Sequence, residues 1–267
     1  SGGGMERKYI IEGGRPLKGV IEISGAKNAV LPAIAATLLA RGVYKLRKVP
    51  RVRDVFCMLK ILEHLGASYK FQKKSLIIDT TNLKNFSVPY ELASKIRASV
   101  LFMGPLAAIF KKGEVPLPGG CAIGKRPIDF HLKGLSQLGA KITLDHGNLV
   151  IRAKKLKGTE IVFDFPSVTA TENLMMAAVL AEGETIIKNA AKEPEVVFLG
   201  KMLKKMGAKI EGLGKDTIYI KGKKELRPVE IEIIPDRIEA GTFLVLSALH
   251  RENDVIAVSY THLRAHE

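Results

Sequence analysis

The chain has 267 residues, 46% hydrophobic and 26% charged, which argues for one large or two modest folded domains and against intrinsic disorder. Two cysteines cannot staple a chain this long, and no run of about 18 apolar residues exists, so neither a disulfide scaffold nor a membrane span is expected. Lys plus Arg number 42 against 27 Asp plus Glu, a net charge of +15 that admits nucleic acid, an anionic membrane surface or small polyanionic substrates.

Ser1 to Gly4, ahead of Met5, lacks the basic and apolar regions of a secretory signal and reads as an added remnant. A reducing cytoplasm is the expected compartment. The first predicted strand covers residues 20–23, after Leu17-Lys18-Gly19, and Ser24-Gly25-Ala26-Lys27-Asn28 joins it to a small-residue apolar helix over 29–40. An amphipathic helix over 55–65 ends at Gly66, and a hairpin follows, 68–71 with 76–79. A second unit enters through 85–90 and carries a buried helix over 97–110. After the loop 113–127 come a helix over 128–138, Gly139, and the hairpin 141–144 with 149–152. A third unit begins at Leu156-Lys157-Gly158, with a strand over 160–164 and an apolar helix over 171–181. Its amphipathic helix, 196–206, ends at Gly207 before the hairpin 209–211 with 217–221. Leu226-Arg227-Pro228 then opens a fourth unit, with a strand over 229–233 and a helix over 240–250.

Leu65-Gly66-Ala67, Leu138-Gly139-Ala140 and Met206-Gly207-Ala208 mark this repeat at a period of about 70 residues. Three units that each bury an apolar helix should pack those helices together with their sheets outside, an α/β domain of pseudo-threefold symmetry. The fourth unit stops early and, on repeat logic, belongs to a second, incomplete domain.

Three segments break the repeat. At Ser24 to Asn28, Gly25 would let the backbone approach a ligand, and the helix start with Lys27 would favour an anion; an ordinary helix cap with a surface lysine reads equally well. The loop 113–127 carries Pro116, Pro118, Gly119, Gly120 and Gly124, as a lid would, with Cys121 near its tip and Lys125 and Arg126 close by to favour the thiolate. Cys57, on an amphipathic helix, fits burial instead. Arg126-Pro127-Ile128-Asp129 opens the next helix, where Arg126 could hold a phosphate or carboxylate. Arg97 opens a buried helix and calls for either an anionic ligand or a partner carboxylate. No histidine pairing has metal-ligand spacing, and neither a Walker loop nor a dinucleotide fingerprint is present. The basic clusters are scattered, with no tryptophan and no aromatic pattern of the RNA-binding sheets, so the charge weakly favours small anions.

Gly25-Ala-Lys-Asn-Ala29, Arg97-Ala-Ser99, the run from Leu117 to Asp129, Glu193-Pro-Glu195, Pro235-Asp-Arg237 and Gly241-Thr-Phe243 together resemble the UDP-N-acetylglucosamine 1-carboxyvinyltransferase family of enolpyruvyl transferases. The resemblance, from about Tyr9 to Leu249, implies an inside-out α/β repeat barrel of two three-unit domains with a cleft between them. On it, residues 27–230 are one complete domain carrying the Cys121 loop. Residues 5–26 belong with a second domain, and 231–267 are its truncated start, with 258–267 set apart as foreign sequence. It implies transfer of the enolpyruvyl group of phosphoenolpyruvate to the sugar 3-hydroxyl of UDP-N-acetylglucosamine, by addition and elimination of phosphate, in the bacterial cytoplasm and without cofactor or metal. Cys121 would be the lid acid and the site of fosfomycin alkylation. Lys27, Asn28 and Arg126 would bind phosphoenolpyruvate; Arg97, Arg126, Pro127, Ile128, Asp129, Phe130, Ser167 and Val168 would contact the UDP-sugar. Because the family's catalytic Asp and a further Arg fall beyond this chain, it is expected at most to bind UDP-sugar weakly and to turn over little. The rival readings are the shikimate-pathway enolpyruvyl transferase, which lacks the cysteine loop, and a basic nucleic-acid-binding module; neither nucleic acid nor membrane is the expected partner.

Overall fold

The computed structural model describes residues 20–119, 128–238 and 256–258. The first unit comprises β1 (Val20–Glu22), α1 (Lys27–Ala36) tightening into a 3-10 turn over Thr37–Leu39, β2 (Val43–Arg47), α2 (Arg53–His64), β3 (Ser68–Gln72) and β4 (Ser75–Asp79). The second has a short α3 (Tyr90–Ala93), a 3-10 segment Arg97–Phe102 running into α4 (Met103–Phe110), β5 (Lys112–Pro116), α5 (Ile128–Gln137), β6 (Lys141–Asp145) and β7 (Asn148–Arg152). The third repeats the pattern with β8 (Glu160–Val162), α6 (Val168–Ala178), β9 (Glu184–Lys188), α7 (Pro194–Lys205), β10 (Lys209–Glu211) and β11 (Thr217–Lys221). β12 (Glu230–Glu232) and β13 (Ile256–Val258) follow. The helix predicted over 240–250 lies outside the described residues.

The repeat read from the glycines is a repeat of helix caps. Gly66, Gly139 and Gly207 have φ of 116°, 109° and 114°. In each cap the next alanine N–H reaches back five residues, Ala67 to Leu62, Ala140 to Leu135 and Ala208 to Leu203, at 3.2, 3.0 and 2.9 Å. That bond ends the amphipathic helix and turns the chain into its hairpin. In the second and third units, the hairpin's inner strand pairs antiparallel with the strand that follows the buried helix, giving β5-β7-β6 and β10-β11-β9-β8. β8 adds in parallel beside β9, and a single parallel bridge, Ser87 to Glu114, takes that place beside β5.

The first unit departs from the prediction. Residues 20–23 do not enter its sheet; β12 lies parallel to β2 instead, in the order β12-β2-β4-β3, while β1 pairs in parallel with β13. The strand read as the start of a fourth unit therefore closes the sheet of the first. The buried helix over 97–110 is also not uniform. Arg97–Phe102 winds as a 3-10 helix and Met103–Phe110 as an α-helix, with Pro105 offering no N–H to the carbonyl of Leu101 where the two meet.

α1, α4 and α6 are apolar on nearly all faces and form the centre, where Ala29, Val30, Ala33, Leu106, Ala107, Leu174 and Met175 are inaccessible to solvent. α2, α5 and α7 each present one apolar stripe to them. Small residues set the spacing. A Cβ on Gly104 of α4 would lie 2.2 Å from the Asn173 carbonyl of α6, and one on Gly134 of α5 would lie 2.2 Å from Leu174 Cδ1. Among the described residues, no helix is long and apolar enough to cross a membrane.

Candidate functional site

The starts of α1, the Arg97 segment, α6 and α7 meet at one end of the helical core, around a cleft of about 380 Å³. Asn28, Leu31 and Pro32 of α1, Ala98 and Leu101, Val168, Thr169 and Glu172 of α6, Glu193 and Glu195, and Arg237 and Ile238 line it. Converging helix N-termini present backbone N–H groups and partial positive charge, a setting suited to anions. Ser167 caps α6, its Oγ accepting from Ala170 N at 3.3 Å, and no side chain caps α1 at Ala26. Pro32 has no N–H to give to the carbonyl of Asn28, which is left without its usual helical donor.

Of the residues singled out by sequence, Asn28 and Val168 line this cleft, and Lys27, Arg97 and Ser167 each sit one residue before a lining residue. Lys27 Nζ pairs with Asp54 Oδ2 at 2.9 Å, both groups part-exposed, so an incoming anion would compete with a carboxylate already in place. Arg97 is exposed, and burial therefore does not demand a ligand for it, contrary to the sequence argument. Gly25 is corrected too: the close approach it permits is to the protein, because a Cβ there would lie 2.1 Å from the Lys48 carbonyl and 2.9 Å from Ile233 Cγ2. It lets the 23–27 segment cross the 233–236 segment, tied by Ala26 N to Ile234 O at 2.7 Å and Asp236 N to Ser24 O at 2.9 Å.

Ile128, Asp129 and Phe130 form the first turn of α5. Phe130 is stacked on Phe163, ring centroids 5.5 Å apart, and meets Phe165 edge-on at 4.7 Å. Cys121, Arg126 and Pro127 lie outside the described residues.

Behind the cleft wall, Asn173 of α6 is a fully buried junction. Its Oδ1 accepts from Gly104 N at 2.5 Å, and its Nδ2 donates to Val100 O at 2.7 Å and to His131 Nδ1 at 2.9 Å. His131 must then be neutral with its proton on Nε2, which faces Thr169 Oγ1 at 3.4 Å. Burial holds its pKa down to about 4.

Sequence reasoning gave no role to the acidic side of the cleft. Arg237 Nε and a terminal guanidinium nitrogen donate to Glu195 Oε1 and Oε2 at 3.1 and 3.3 Å. Glu172 is 2% exposed, and its Oε2 has no hydrogen-bond partner. Burial first, then the neighbouring Glu195 and Glu193, push the Glu172 carboxyl well above the usual range, which favours its protonated form. A carboxylate in the helix Thr171-Glu-Asn-Leu-Met-Met176, otherwise nearly all core, was the signal available in the sequence. Among the described residues, no group of three or more His, Cys, Asp or Glu is placed to hold a metal ion.

Solved structures share this fold. The enolpyruvyl transferase NikO from Streptomyces tendae superposes with a TM-score of 0.76 at 21% identity, over 88% of this chain and 56% of that one. An EPSP synthase from Acinetobacter baumannii gives 0.73 at 22% identity, over 92% and 56%. The three-unit arrangement is thus an enolpyruvyl transferase-like repeat fold. Residues 11–265 match the EPSP synthase (3-phosphoshikimate 1-carboxyvinyltransferase) family, and the chain belongs to that family of transferases. It is 52% identical, over 93% of its length, to a protein of Desulfatibacillum aliphaticivorans named UDP-N-acetylglucosamine 1-carboxyvinyltransferase. Proteins of that name from Caldanaerobacter subterraneus and Carboxydothermus hydrogenoformans are 51% and 53% identical over 98% and 97% of the chain. The chain spans about 60% of the length of these curated relatives.

Proposed function

We propose that this chain is the Cys121-bearing part of a UDP-N-acetylglucosamine 1-carboxyvinyltransferase, acting in the bacterial cytoplasm on peptidoglycan precursors. The carrying observation is identity of just over one half, across more than nine-tenths of the chain, with relatives of that name. In this reading phosphoenolpyruvate adds to the sugar 3-hydroxyl, and loss of phosphate then leaves the enolpyruvyl ether. Lys27, Asn28 and Arg126 hold phosphoenolpyruvate. Ser167, Val168, Arg97 and the run Arg126, Pro127, Ile128, Asp129, Phe130 hold the nucleotide sugar, with the Phe130–Phe163 stack as an apolar wall. Cys121 supplies the proton for addition, a contribution of roughly 10²–10⁴-fold. The three-unit domain, closed by β12, then carries one face of the cleft, and the segments flanking it belong with a second domain that supplies the rest.

The cysteine-bearing run Leu117 to Asp129 supports this over the shikimate-pathway reaction. The test is mass spectrometry of the chain treated with fosfomycin. One adduct on Cys121, faster with UDP-N-acetylglucosamine present, is expected, and an unmodified Cys121 would refute the reading. Phosphate release from both substrates should be slight, because much of the relatives' length is outside this chain.

A further inference from the structure

The acidic side of the cleft takes no part in the chemistry above. Two ion-pairable acids, Glu193 and Glu195, stand there with a third carboxyl, Glu172, that is sunk in the wall with one oxygen unpartnered. Arg237 engages both oxygens of Glu195 and offsets one charge. Around them the lining is apolar: Leu31, Leu101 and Val168. A phosphate or carboxylate entering here would meet like charge. A bare cation would meet too few ligands, since no metal-competent cluster exists among the described residues. An uncharged group bearing hydroxyls or an amide fits both requirements. It can donate to the exposed Glu193 and accept from a buried acid, and burying that acid without a partner is otherwise unfavourable.

We propose that Glu172 is a specificity-determining residue, donating a hydrogen bond from its carboxyl to an uncharged oxygen, hydroxyl or amide carbonyl, of the sugar portion of the bound nucleotide sugar. The assignment rests on the nucleotide-sugar reading above. It divides the site: phosphates at the helix starts and their cations, the uncharged portion against the acids.

The experiment is titration calorimetry of the full chain with UDP-N-acetylglucosamine and, separately, with UDP. Glu172→Leu removes the donor; Glu172→Gln keeps an N–H donor at the same place. Leu should weaken the nucleotide sugar about tenfold and leave UDP unchanged, and Gln should stay within about threefold of the native chain. Circular dichroism checks that each variant is folded. Equal weakening of both ligands by Leu, no weakening of either, or a Gln variant as weak as Leu overturns the proposal while leaving the nucleotide-sugar reading intact. Failure of the native chain to bind either ligand removes both. Carbon-13 labelling gives an independent readout: the Glu172 carboxyl resonance should lie in the protonated range at pH 7 and move with UDP-N-acetylglucosamine but not with UDP. An ionised resonance at pH 7 overturns it.

Discussion

Replacing Asn173 by leucine should destabilise the chain by about 3–6 kcal/mol. The side chain joins three segments of two units, and its loss strands the Val100 carbonyl, the Gly104 N–H and His131 Nδ1 in a region closed to water. An unsatisfied buried group costs about 1–3 kcal/mol, and partial relaxation keeps the sum toward the lower half of the range. That is a large share of the 5–15 kcal/mol typical of a folded domain. Urea unfolding at pH 7, followed by circular dichroism, should show a lower midpoint with an unchanged slope. Asn173→Asp sharpens the test. Its carboxylate can still accept from Gly104 but cannot donate to Val100, and it places negative charge against a histidine that burial keeps neutral down to about pH 4. The imidazolium is then favoured, so the deficit of the Asp variant relative to the native chain should shrink as pH falls below about 6.5. A loss under 1 kcal/mol for leucine, or a deficit for aspartate that is flat with pH, would refute the junction.

Gly104→Ala should cost about 2–3 kcal/mol in the same assay despite the better helix propensity of alanine, because its Cβ meets backbone at 2.2 Å; Gly119→Ala, with nothing within 4 Å, is the neutral control. Glu172→Gln should gain on the native chain as pH rises. The native acid, with its pKa raised by burial, contributes stability that is complete below the unfolded value near 4.3 and is lost as pH climbs toward the folded value, at up to about 1.4 kcal/mol per unit; parallel stability curves would contradict this. Native-state alkylation should label Cys121 before the part-buried Cys57 of α2, and equal rates on a peptide map would count against a reactive loop thiol.

What was legible in the sequence was local. Gly66, Gly139 and Gly207 announce left-handed caps because only the loss of Cβ makes that conformation cheap, and the hairpins follow within a few residues of each. β12 was misplaced because its partner, β2, lies far back in the chain, and a parallel pairing leaves no turn signal between Glu230 and Lys45. Gly25 was misread for a related reason: a missing Cβ shows that something approaches, and only the fold shows that it is Lys48 and Ile233. Asn173 gave no signal at all, since one amide in an apolar helix acquires meaning only from Val100, Gly104 and His131.

The overall charge of +15 turns out to say little about the cleft. Many basic residues lie on the sheets and their connections, where Lys45 and Arg47 pair with Glu230, Lys188 with Glu160 and Lys155 with Glu182, in exposed pairs that contribute little. Among the described residues lining the cleft, the charge runs the other way: Arg237 is the cation there, against the carboxylates of Glu193 and Glu195. Affinity for a doubly anionic substrate cannot then come from a diffuse positive field. On the proposed function it comes from a few oriented groups: the backbone N–H groups at the starts of α1 and α6, and Lys27 once released from Asp54. A site built this way should lose far more from one substitution at Lys27 than from several among those exposed pairs, although each removes the same formal charge.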